Sequence, residues 1–430
     1  MSELPEGWAK TTLGNIISLK YGKSLPKAIR VAGPFSVYGS NGPVGTHTEP
    51  LISGPAIIVG RKGSIGELHL SEEPCYPIDT TYFVDEFFDQ SPHFLLFLLK
   101  TLGLTELNRA SAIPGLNRDD VYALPVLLPP LDEQRRIVAK LDSLFARTRR
   151  ARKELSHIPR LIESYKNSIL EAAFRGYLTK DWRGSEYLAD WERKELSQVL
   201  EERLANGRSV PDGDGFPVLR LTALRNQILD LSARKLGNWD RSKADRYIVK
   251  SGDFLVSRGN GSLDLLARGS YIEKVEEEVA FPDTMIRIRP KRAIIYTPFL
   301  YHQWFYKGVR SQIISMAKTT AGIYKVSQYD LSKILLVVPP LDEQKEIVCR
   351  IEKTLDWLRV VGDEQQKARH LLDRLDEANL SKAFRGELVP QDPNEEPASV
   401  LLERICAARA QQPKNTREGR GKTANVGAAA

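Results

Sequence analysis

The strongest constraint on this chain is an internal repeat with a fixed spacing. The hexapeptide P-P-L-D-E-Q occurs at Pro129–Gln134 and again at Pro339–Gln344, an offset of 210 residues. The tetrapeptide A-F-R-G occurs at Ala173–Gly176 and at Ala383–Gly386, again 210 residues apart. Because both motifs recur at the same offset, no insertion or deletion separates them. The chain therefore contains two copies of one structural segment.

The sequence before each hexapeptide also repeats, but more loosely. Trp8 matches Trp191 and Arg61 matches Arg258, at offsets of 183 and 197 residues. Pro77–Thr80 resembles Pro282–Thr284. Since the offset drifts, the loops of these parts differ in length. We expect a first variable domain at 1–128, a first constant helix at 129–182, a second variable domain at 183–338, a second constant helix at 339–390 and a tail at 391–430.

The constant segments are predicted to be long helices that pair as a coiled coil, because apolar or small residues recur in steps of four and three. The first copy follows a strand-like run at Leu124–Leu128, with Asp132 as its N-cap. Pro159 is expected to kink or break it, and Gly176 and Gly386 match helix C-terminal glycines. A single helix packed on a globular domain is the alternative. The predicted seam is Ile137, Leu141, Leu144, Thr148, Ala151, Leu155, Ile158, Ile162, Tyr165 and Ile169, and then Ile347, Ile351, Thr354, Leu358, Val361, Gln365, Ala368, Leu372, Leu375 and Asn379.

The variable segments mix strand and helix patterns. A buried helix is predicted at Phe94–Leu102 and a short helix at Ala398–Ala408, with disorder from Gln411 to Ala430. The predicted fold class is α+β: two α/β domains separated by two long antiparallel helices that form a coiled coil, with a pseudo-twofold internal repeat. Predicted strands include Ala56–Val59, Thr81–Val84, Phe254–Ser257 and Met285–Ile288.

Composition excludes several classes of protein. With 42% hydrophobic residues in 430, the chain can build real cores and is not disordered throughout. Its longest apolar run, Phe94–Leu99, is too short to span a bilayer, and we see no signal peptide. Three isolated cysteines, Cys75, Cys349 and Cys406, favour neither disulfides nor a zinc site, so we expect a reducing cytoplasm.

The net charge of +7 is unevenly distributed. The first variable segment carries a net charge of −3, yet Lys20 to Lys62 contains six bases against one acid, Glu49. The segment Arg147–Lys153 holds five bases in seven positions on the first long helix. This cluster is either a solvated helix face or a contact with DNA phosphates or an acidic partner.

We find no catalytic constellation. The sequence lacks a G-x-x-x-x-G-K-[ST] phosphate loop, an H-E-x-x-H metal motif and an Asn/Asp-Pro-Pro-aromatic tetrapeptide. The glycine-rich stretch Gly60–Gly66 is a tight hairpin or, alternatively, a phosphate cradle. Asp79 and Asp283, at matched positions, are interpreted as turn residues rather than metal ligands.

Two diverged domains held apart by paired rigid helices suit the recognition of duplex DNA. Sequence is read by short contacts in the grooves, so two readers on a fixed rod require a fixed spacing between half-sites. Divergence of the readers makes the half-sites different. The two helices, which repeat at one fixed offset, offer two equivalent surfaces for two copies of one partner.

Several motifs resemble the specificity subunit of type I restriction–modification systems over about 390 of the 430 residues. Asn379 and Gln365, polar at seam positions, and a long tail depart from the pattern. The motifs are L-P-x-x-W (Leu4–Trp8), Y-G-S-N-G (Tyr38–Gly42), I-V-G-R-K-G-S-I-G, I-P-G-L-N-R-D-D-V (Ile113–Val121), V-L-R-L-T (Val218–Thr222), G-D-F-L-V-S-R-G-N-G-S (Gly252–Ser262), and the doubled P-P-L-D-E-Q and A-F-R-G.

The resemblance implies a non-catalytic subunit in which each domain, a target-recognition domain, reads half of a split double-stranded DNA site. It implies that the constant helices bind two modification subunits, which methylate adenine with S-adenosylmethionine, and that restriction subunits add cleavage that depends on ATP and Mg²⁺. No cofactor or metal is expected on this chain. A methylating or cutting enzyme, and a coiled-coil adaptor with no DNA role, are the rival interpretations.

The candidate site residues are basic or polar groups near glycine loops and residues of the repeated hexapeptide. Arginine can bind guanine and asparagine adenine through two hydrogen bonds, whereas lysine more often contacts phosphate. For DNA they are Lys20, Lys23, Ser40, Asn41, Arg61, Lys62, Arg220, Arg258, Asn260 and Lys318. For partner subunits they are Leu131, Asp132, Gln134, Leu341, Asp342 and Gln344, with the exposed faces of 132–172 and 342–382.

Overall fold

A computed structural model describes residues 4–107, 115–188, 190–320 and 322–411. The chain divides into two compact units, Met1–Glu154 with Ala368–Ala430, and Leu155–Lys367. The first two residues of the predicted motif at Ile113–Val121 and the predicted disorder at 412–430 lie outside the described residues.

The first unit contains a four-stranded sheet of order β2-β8-β5-β6, a three-stranded sheet of order β4-β3-β7, and the antiparallel pair β1-β9. Helix α4, Leu131–Phe174, begins in this unit and ends in the other. The strands are β1 Ala9–Thr12, β2 Lys20–Tyr21, β3 Phe35–Gly39, β4 Gly42–His47, β5 Ala56–Gly60, β6 Leu68–Ser71, β7 Cys75–Pro77, β8 Thr81–Val84 and β9 Pro125–Leu128, and the helices α1 Leu13–Ile16, α2 Pro92–Lys100 and α3 Arg118–Tyr122, with 3-10 turns at Lys27–Ile29 and Leu104–Glu106.

Helix α2 and strand β5 form the centre of the first core. Proline at the first position of α2 starts the helix, and all six side chains from Phe94 to Leu99 are buried. Every residue of β5 is buried, as expected for a central strand covered on both faces. The predicted buried helix and the strands at Ala56–Val59 and Thr81–Val84 are confirmed.

The second unit has a four-stranded sheet of order β11-β17-β14-β16, the pairs β10-β20 and β12-β13, and a small sheet of order β15-β19-β18. Its strands are β10 Glu192–Glu195, β11 Leu200–Asn206, β12 Asp212–Leu219, β13 Arg234–Gly237, β14 Phe254–Ser257, β15 Gly259–Asn260, β16 Gly269–Tyr271, β17 Met285–Pro290, β18 Lys318–Thr320, β19 Ile323–Lys325 and β20 Leu335–Val338. Its helices are α5 Lys180–Arg183, α6 Arg241–Ala244, α7 Thr297–Phe305, α8 Lys307–Ser315, α9 Gln328–Ser332 and most of α10 Leu341–Ala383, with 3-10 turns at Leu196–Val199, Leu221–Arg225, Asp245–Tyr247 and Leu263–Leu265.

The two long helices, α4 and α10, pack antiparallel. In the second unit the rings of Tyr165 and Trp357 stack edge to face, with centroids 6.1 Å apart, and the amide of Gln365 donates to the carbonyl of Leu155 at 3.1 Å. In the first unit Thr148 and Arg152 bond to carboxylates of α10, Asp376 and Asp373. The predicted fold class of two mixed domains with a helical coiled coil is confirmed.

A kink or a break was expected at Pro159, and the break does not occur: α4 runs from Leu131 to Phe174 through this proline. Proline lacks the N–H that would bond to the carbonyl four residues earlier, which here is Leu155. Gln365 is a buried residue, 6% exposed, and its amide nitrogen supplies the missing donor. The polar seam residue and the helix proline therefore compensate each other.

Two other expectations about the long helices need adjustment, and a third is confirmed. Helix α4 starts at Leu131, so Asp132 lies in the first turn rather than at the N-cap. Tyr165 and Leu375, both predicted seam residues, are about half exposed at 51% and 48%. The glycines at the C-terminal ends are as predicted: Gly176 and Gly386 have φ angles of +78° and +75°, the left-handed region that glycine tolerates.

The short helix predicted at Ala398–Ala408 is confirmed. Helix α11, Ala398–Ala410, packs Ala398, Leu401 and Ile405 into the core of the first unit. An ion pair between Arg136 and Glu395 fixes the chain just before it. The sequence predicted this helix but not its packing, because the residues that it contacts lie nearly four hundred positions away and leave no local signal.

Candidate DNA interface

The same backbone geometry presents Arg61 and Arg258 in the two domains. The Arg61 N–H donates to the carbonyl of Thr80 at 2.9 Å, and the Arg61 carbonyl accepts from Leu116 at 2.9 Å. Arg258 donates to Thr284 at 2.8 Å and accepts from Val326 at 3.1 Å. Leu116 and Val326 are 210 residues apart, so these bonds follow the repeat. Both arginines are thus held at equivalent points of two related folds.

The glycine-rich stretch after β5 is a tight hairpin. The Gly60 N–H donates to Glu67 and the Gly66 N–H donates to Gly60, both at 2.8 Å. A Cβ atom at Gly60 would lie 2.0 Å from the Ser64 carbonyl, so only glycine fits there. These bonds close the turn and favour the hairpin interpretation over the phosphate cradle. Asp79 and Asp283 lie in turns, as interpreted.

The guanidinium of Arg61 belongs to an arginine–tyrosine cluster made of Tyr21, Arg61, Tyr82, Arg118 and Tyr122. It lies 5.4 Å from the ring centre of Tyr21 and 5.7 Å from that of Tyr82, and one Nη donates to the Asp79 carbonyl. Arg118 lies over the rings of Tyr21 and Tyr122 at 5.6 and 5.7 Å. Burial raises the pKa of Tyr82, so this hydroxyl stays neutral.

Of this cluster only Arg61 was among the candidates, so its other four members were missed. Arg118 lies in the I-P-G-L-N-R-D-D-V motif, and Tyr21 is 53% exposed beside two guanidinium groups. No local sequence signal identifies these pairs, because the rings and guanidinium groups meet only in the folded domain. Such cation–aromatic pairs are common in nucleic-acid binding surfaces.

The other candidates of the first domain differ in availability. Lys20 is paired with Asp85 and Glu86, each at 2.8 Å, and buried Ser40 donates to the Thr80 carbonyl at 2.7 Å. The side chains of Lys23, Asn41 and Lys62 are exposed. Asn41 lies in the turn between β3 and β4, where its exposed side chain can enter a groove of DNA. The structure therefore leaves these three side chains as the exposed candidates of the first domain, whereas Arg61 is partly buried.

In the second domain three candidates come together on one small sheet. Asn260 in β15 pairs with Tyr324 of β19, and Lys318 in β18 pairs with Lys325. Arg258 immediately precedes β15 and its side chain is exposed. This sheet presents a basic surface that includes Lys325, which was not among the candidates. Arg220 is exposed as well, next to the 3-10 turn Leu221–Arg225.

Asn260 also lines a cavity of about 270 Å³ with Arg225 and Arg268. Neither arginine was singled out, because both stand alone in the sequence. Arg310 fixes the loop that borders this cavity. Its guanidinium donates to the carbonyls of Leu266 and Leu263 at 2.8 and 3.2 Å. Burial lowers the pKa of Arg310. The hydrogen bonds to these carbonyl groups explain why the side chain lies here.

The repeated hexapeptide serves mainly to join each domain to its helix. Gln134 and Gln344 are completely buried, and their amides donate to the carbonyls of Pro129 and Pro339 at 3.0 and 2.8 Å. The carboxylates of Glu133 and Glu343 accept from the indole N–H of Trp8 and Trp191, both at 2.9 Å.

Among the partner-binding candidates, only Asp132 and Asp342 are exposed, while Leu131 and Leu341 are partly buried. The assignment to partner binding stays a prediction for all six residues.

The described part of the chain offers no obvious chemistry of catalysis. Within it, no group of three or more His, Cys, Asp or Glu side chains is arranged to hold a metal ion. No helix there is long and apolar enough to cross a membrane. What the surface does offer is exposed cations, Lys62 and Arg258, at two equivalent loops and an exposed amide, Asn41, in the turn between β3 and β4, which suits contacts to phosphates and base edges.

Comparison with known proteins agrees with this geometry. The family model of the type I restriction modification DNA specificity domain matches the chain twice, over residues 5–160 and 189–358. The EcoKI specificity subunit of Escherichia coli K12 is 28% identical over 74% of this chain and 71% of its own length. The EcoDI specificity subunit of Escherichia coli is 27% identical over 95% of this chain and 96% of its own length.

Two solved structures share the fold. One, from a study of complex assembly and conformational transition of the type I R-M system, has a TM-score of 0.66 at 20% identity and covers 90% of this chain and 100% of its own. The other, the HsdS subunit of Thermoanaerobacter tengcongensis, has a TM-score of 0.57 at 20% identity and covers 90% of this chain and 99% of its own.

Proposed function

The chain belongs to the family of type I restriction–modification DNA specificity subunits, and from this premise we propose that it binds a bipartite double-stranded DNA site, one half-site per domain. Members of the family are non-catalytic, so the prediction that this chain is not an enzyme is confirmed. DNA and other subunits of the system are its partners.

We further propose what those subunits are. The helix pair binds two modification subunits, and restriction subunits join the complex. S-adenosylmethionine, ATP and Mg²⁺ are used by these partners and not by this chain. The complex acts on DNA in the cytoplasm.

One observation carries the proposal of two readers. The same two backbone hydrogen bonds hold Arg61 in the first domain and Arg258 in the second, yet the side chains around them differ. Arg61 lies against tyrosine rings, whereas Arg258 adjoins a small sheet with Asn260 and Lys318. Equivalent placement with different surroundings is what two half-sites of different sequence require.

The test alters one domain at a time in the full chain within its complex. Arg258→Ala with Asn260→Ala should weaken or relax recognition of one half-site by about tenfold or more, because a bidentate base contact discriminates by that amount. Asn41→Ala with Lys62→Ala should affect the other half-site. The measurement is the map of methylated adenines in a host that carries the complete system.

Lys274→Ala, at a 79% exposed lysine of the second domain paired only with Glu276, is the matched control and should leave the map unchanged. Loss of specificity in both halves from one pair of substitutions would contradict the assignment of one half-site per domain. An unchanged map for both pairs would remove these residues from the interface.

A further inference from the structure

Four apolar side chains lie exposed together on the helix pair of the second unit. Leu161 and Tyr165 on α4 are 64% and 51% exposed, and Trp357 and Val360 on α10 are 58% and 52% exposed. Tyr165 and Trp357 contact each other across the helices. We call this set the Trp357 face. Exposed clusters of large apolar residues usually mark binding surfaces, and tryptophan is often the dominant contact in them.

The repeat places an equivalent surface in the first unit. Residues 210 positions from Leu161 and Tyr165 are Leu371 and Leu375, which are also exposed, at 59% and 48%. The positions equivalent to Trp357 and Val360 are Arg147 and Arg150. We call these four residues, Leu371, Leu375, Arg147 and Arg150, the Arg147 face.

The two faces therefore share one half of their chemistry and differ in the other. Each keeps an apolar pair one helical turn apart, at positions i and i+4 of its helix. In the remaining half, two apolar side chains of the Trp357 face are replaced by two guanidinium groups.

Charge sharpens the difference. Residues 146–154 contain five bases and one acid, for a net charge of +4. The equivalent residues 356–364 contain one base and three acids, for a net charge of −2. Of the five bases, Arg152 is paired with Asp373 and Asp376 in its own unit. Arg147 and Arg150 are exposed, and the described residues provide no acidic partner for them.

The occupant of both faces must occur in two copies, because the faces are duplicates of one another. It must carry an apolar surface, since the apolar pair is what the two faces have in common. Resting on the proposed function, this occupant is the modification subunit. Because both copies of it present the same residues, they meet tryptophan and valine at one face and two arginines at the other.

We propose that the modification subunit binds the two faces unequally and by different forces. At the Trp357 face binding depends on apolar burial, which salt does not screen. At the Arg147 face it depends on attraction between the arginines and carboxylates of the subunit, which salt screens. Raising the salt concentration thus removes one modification subunit and leaves the other at the Trp357 face.

The test measures the number of bound modification subunits by sedimentation velocity, with the full chain and the modification subunit of the same system, at about 50 mM and about 500 mM NaCl. We expect two subunits at low salt and one at high salt. Trp357→Ala with Val360→Ala should abolish the complex at high salt and weaken it about tenfold or more at low salt. Arg147→Trp with Arg150→Val should keep two subunits bound at high salt.

Leu236→Ala, at a 51% exposed apolar residue of β13 away from the helix pair, is the control and should behave as the unaltered chain. Simultaneous loss of both subunits, or equal retention of both, would overturn the unequal binding while leaving the proposed function intact. A folded chain that binds no modification subunit at either salt concentration would overturn both.

Discussion

The two junctions between domain and helix contain the same pair of residues in unlike surroundings. Glu133 accepts from the Trp8 indole, and its other oxygen is buried with no partner among the described residues. Glu343 accepts from the Trp191 indole and also from the Thr179 hydroxyl at 2.8 Å and the Arg183 guanidinium. The residues 210 positions from Thr179 and Arg183 are Val389 and Pro393, which cannot replace them.

This difference shows that the two copies have diverged in how they compensate the buried carboxylate. The hexapeptide and the tryptophan are kept in both, so the fold of the junction is the same. The compensation of the buried carboxylate depends on residues that follow the A-F-R-G motif, where the repeat ends. A duplicated motif can therefore carry a paired charge in one copy and an unpaired one in the other.

The largest effect is expected at the second junction. Glu343→Gln leaves Arg183, whose side chain is only 12% exposed, without its counter-charge and should destabilise that region by about 3 kcal/mol. Glu133→Gln should change stability by less than about 1 kcal/mol, since the nearby cation, Arg136, keeps its ion pair with Glu395. Hydrogen exchange of the peptides around each junction measures both. Equal protection losses would show that the two junctions are not different after all.

A second comparison concerns Pro159 and Gln365. Gln365→Leu should cost about 2 kcal/mol, because the Leu155 carbonyl loses its donor. In a Pro159→Ala background the restored backbone N–H should bond to that carbonyl, and the same substitution should cost much less. A double-mutant cycle in urea measures the coupling.

Asn379→Leu is the matched control for that cycle. Asn379 is the other polar seam residue that departs from the pattern. Its amide nitrogen is buried and has no partner within the part of the chain that the structure describes, and it should show no coupling to Pro159. Additive effects of Gln365→Leu and Pro159→Ala would refute the compensation.

The smallest effect concerns pH. Burial raises the pKa of Glu133 above its ordinary value of 4.5, so the folded first unit holds this proton at a pH where the unfolded chain has released it. The contribution to stability is full below pH 4.5 and falls as the pH rises through the folded pKa. Urea midpoints measured from acid to neutral pH should show this decline in the unaltered chain and not in Glu133→Gln. The same slope in both proteins would assign it to another group.

The sequence was sufficient for the architecture but not for the side-chain network. Two motifs at one offset and an apolar period of 3.5 residues predicted the long helices. Short runs of strand-forming residues predicted β5, β8, β14 and β17. These signals are local or repeated. The packing of α11 and the donor for the Leu155 carbonyl involve residues far apart in sequence, which no pattern within either segment reveals.

The candidate DNA residues were predicted with similar limits. Residue type and glycine neighbours led to Arg61, Arg258 and Asn260, which the fold does bring to equivalent or adjoining positions. The same criteria selected Ser40 and Lys20, whose side chains bond within the domain, because exposure cannot be read from composition. Arg118, Arg225 and Arg268 were missed since each becomes part of a basic surface only through tertiary contacts.

The hydrogen bond from Gln365 to Leu155 joins two residues that are themselves 210 positions apart. The chain thus touches its own duplicate at this point, 21 residues after Gln134 on one helix and 21 after Gln344 on the other. An insertion between the glutamine and this contact in one helix would make the two 21-residue segments unequal in length, and Gln365 and Leu155 would no longer meet. Geometry alone would then select against length changes here, which accounts for a spacing preserved while the side chains drifted apart.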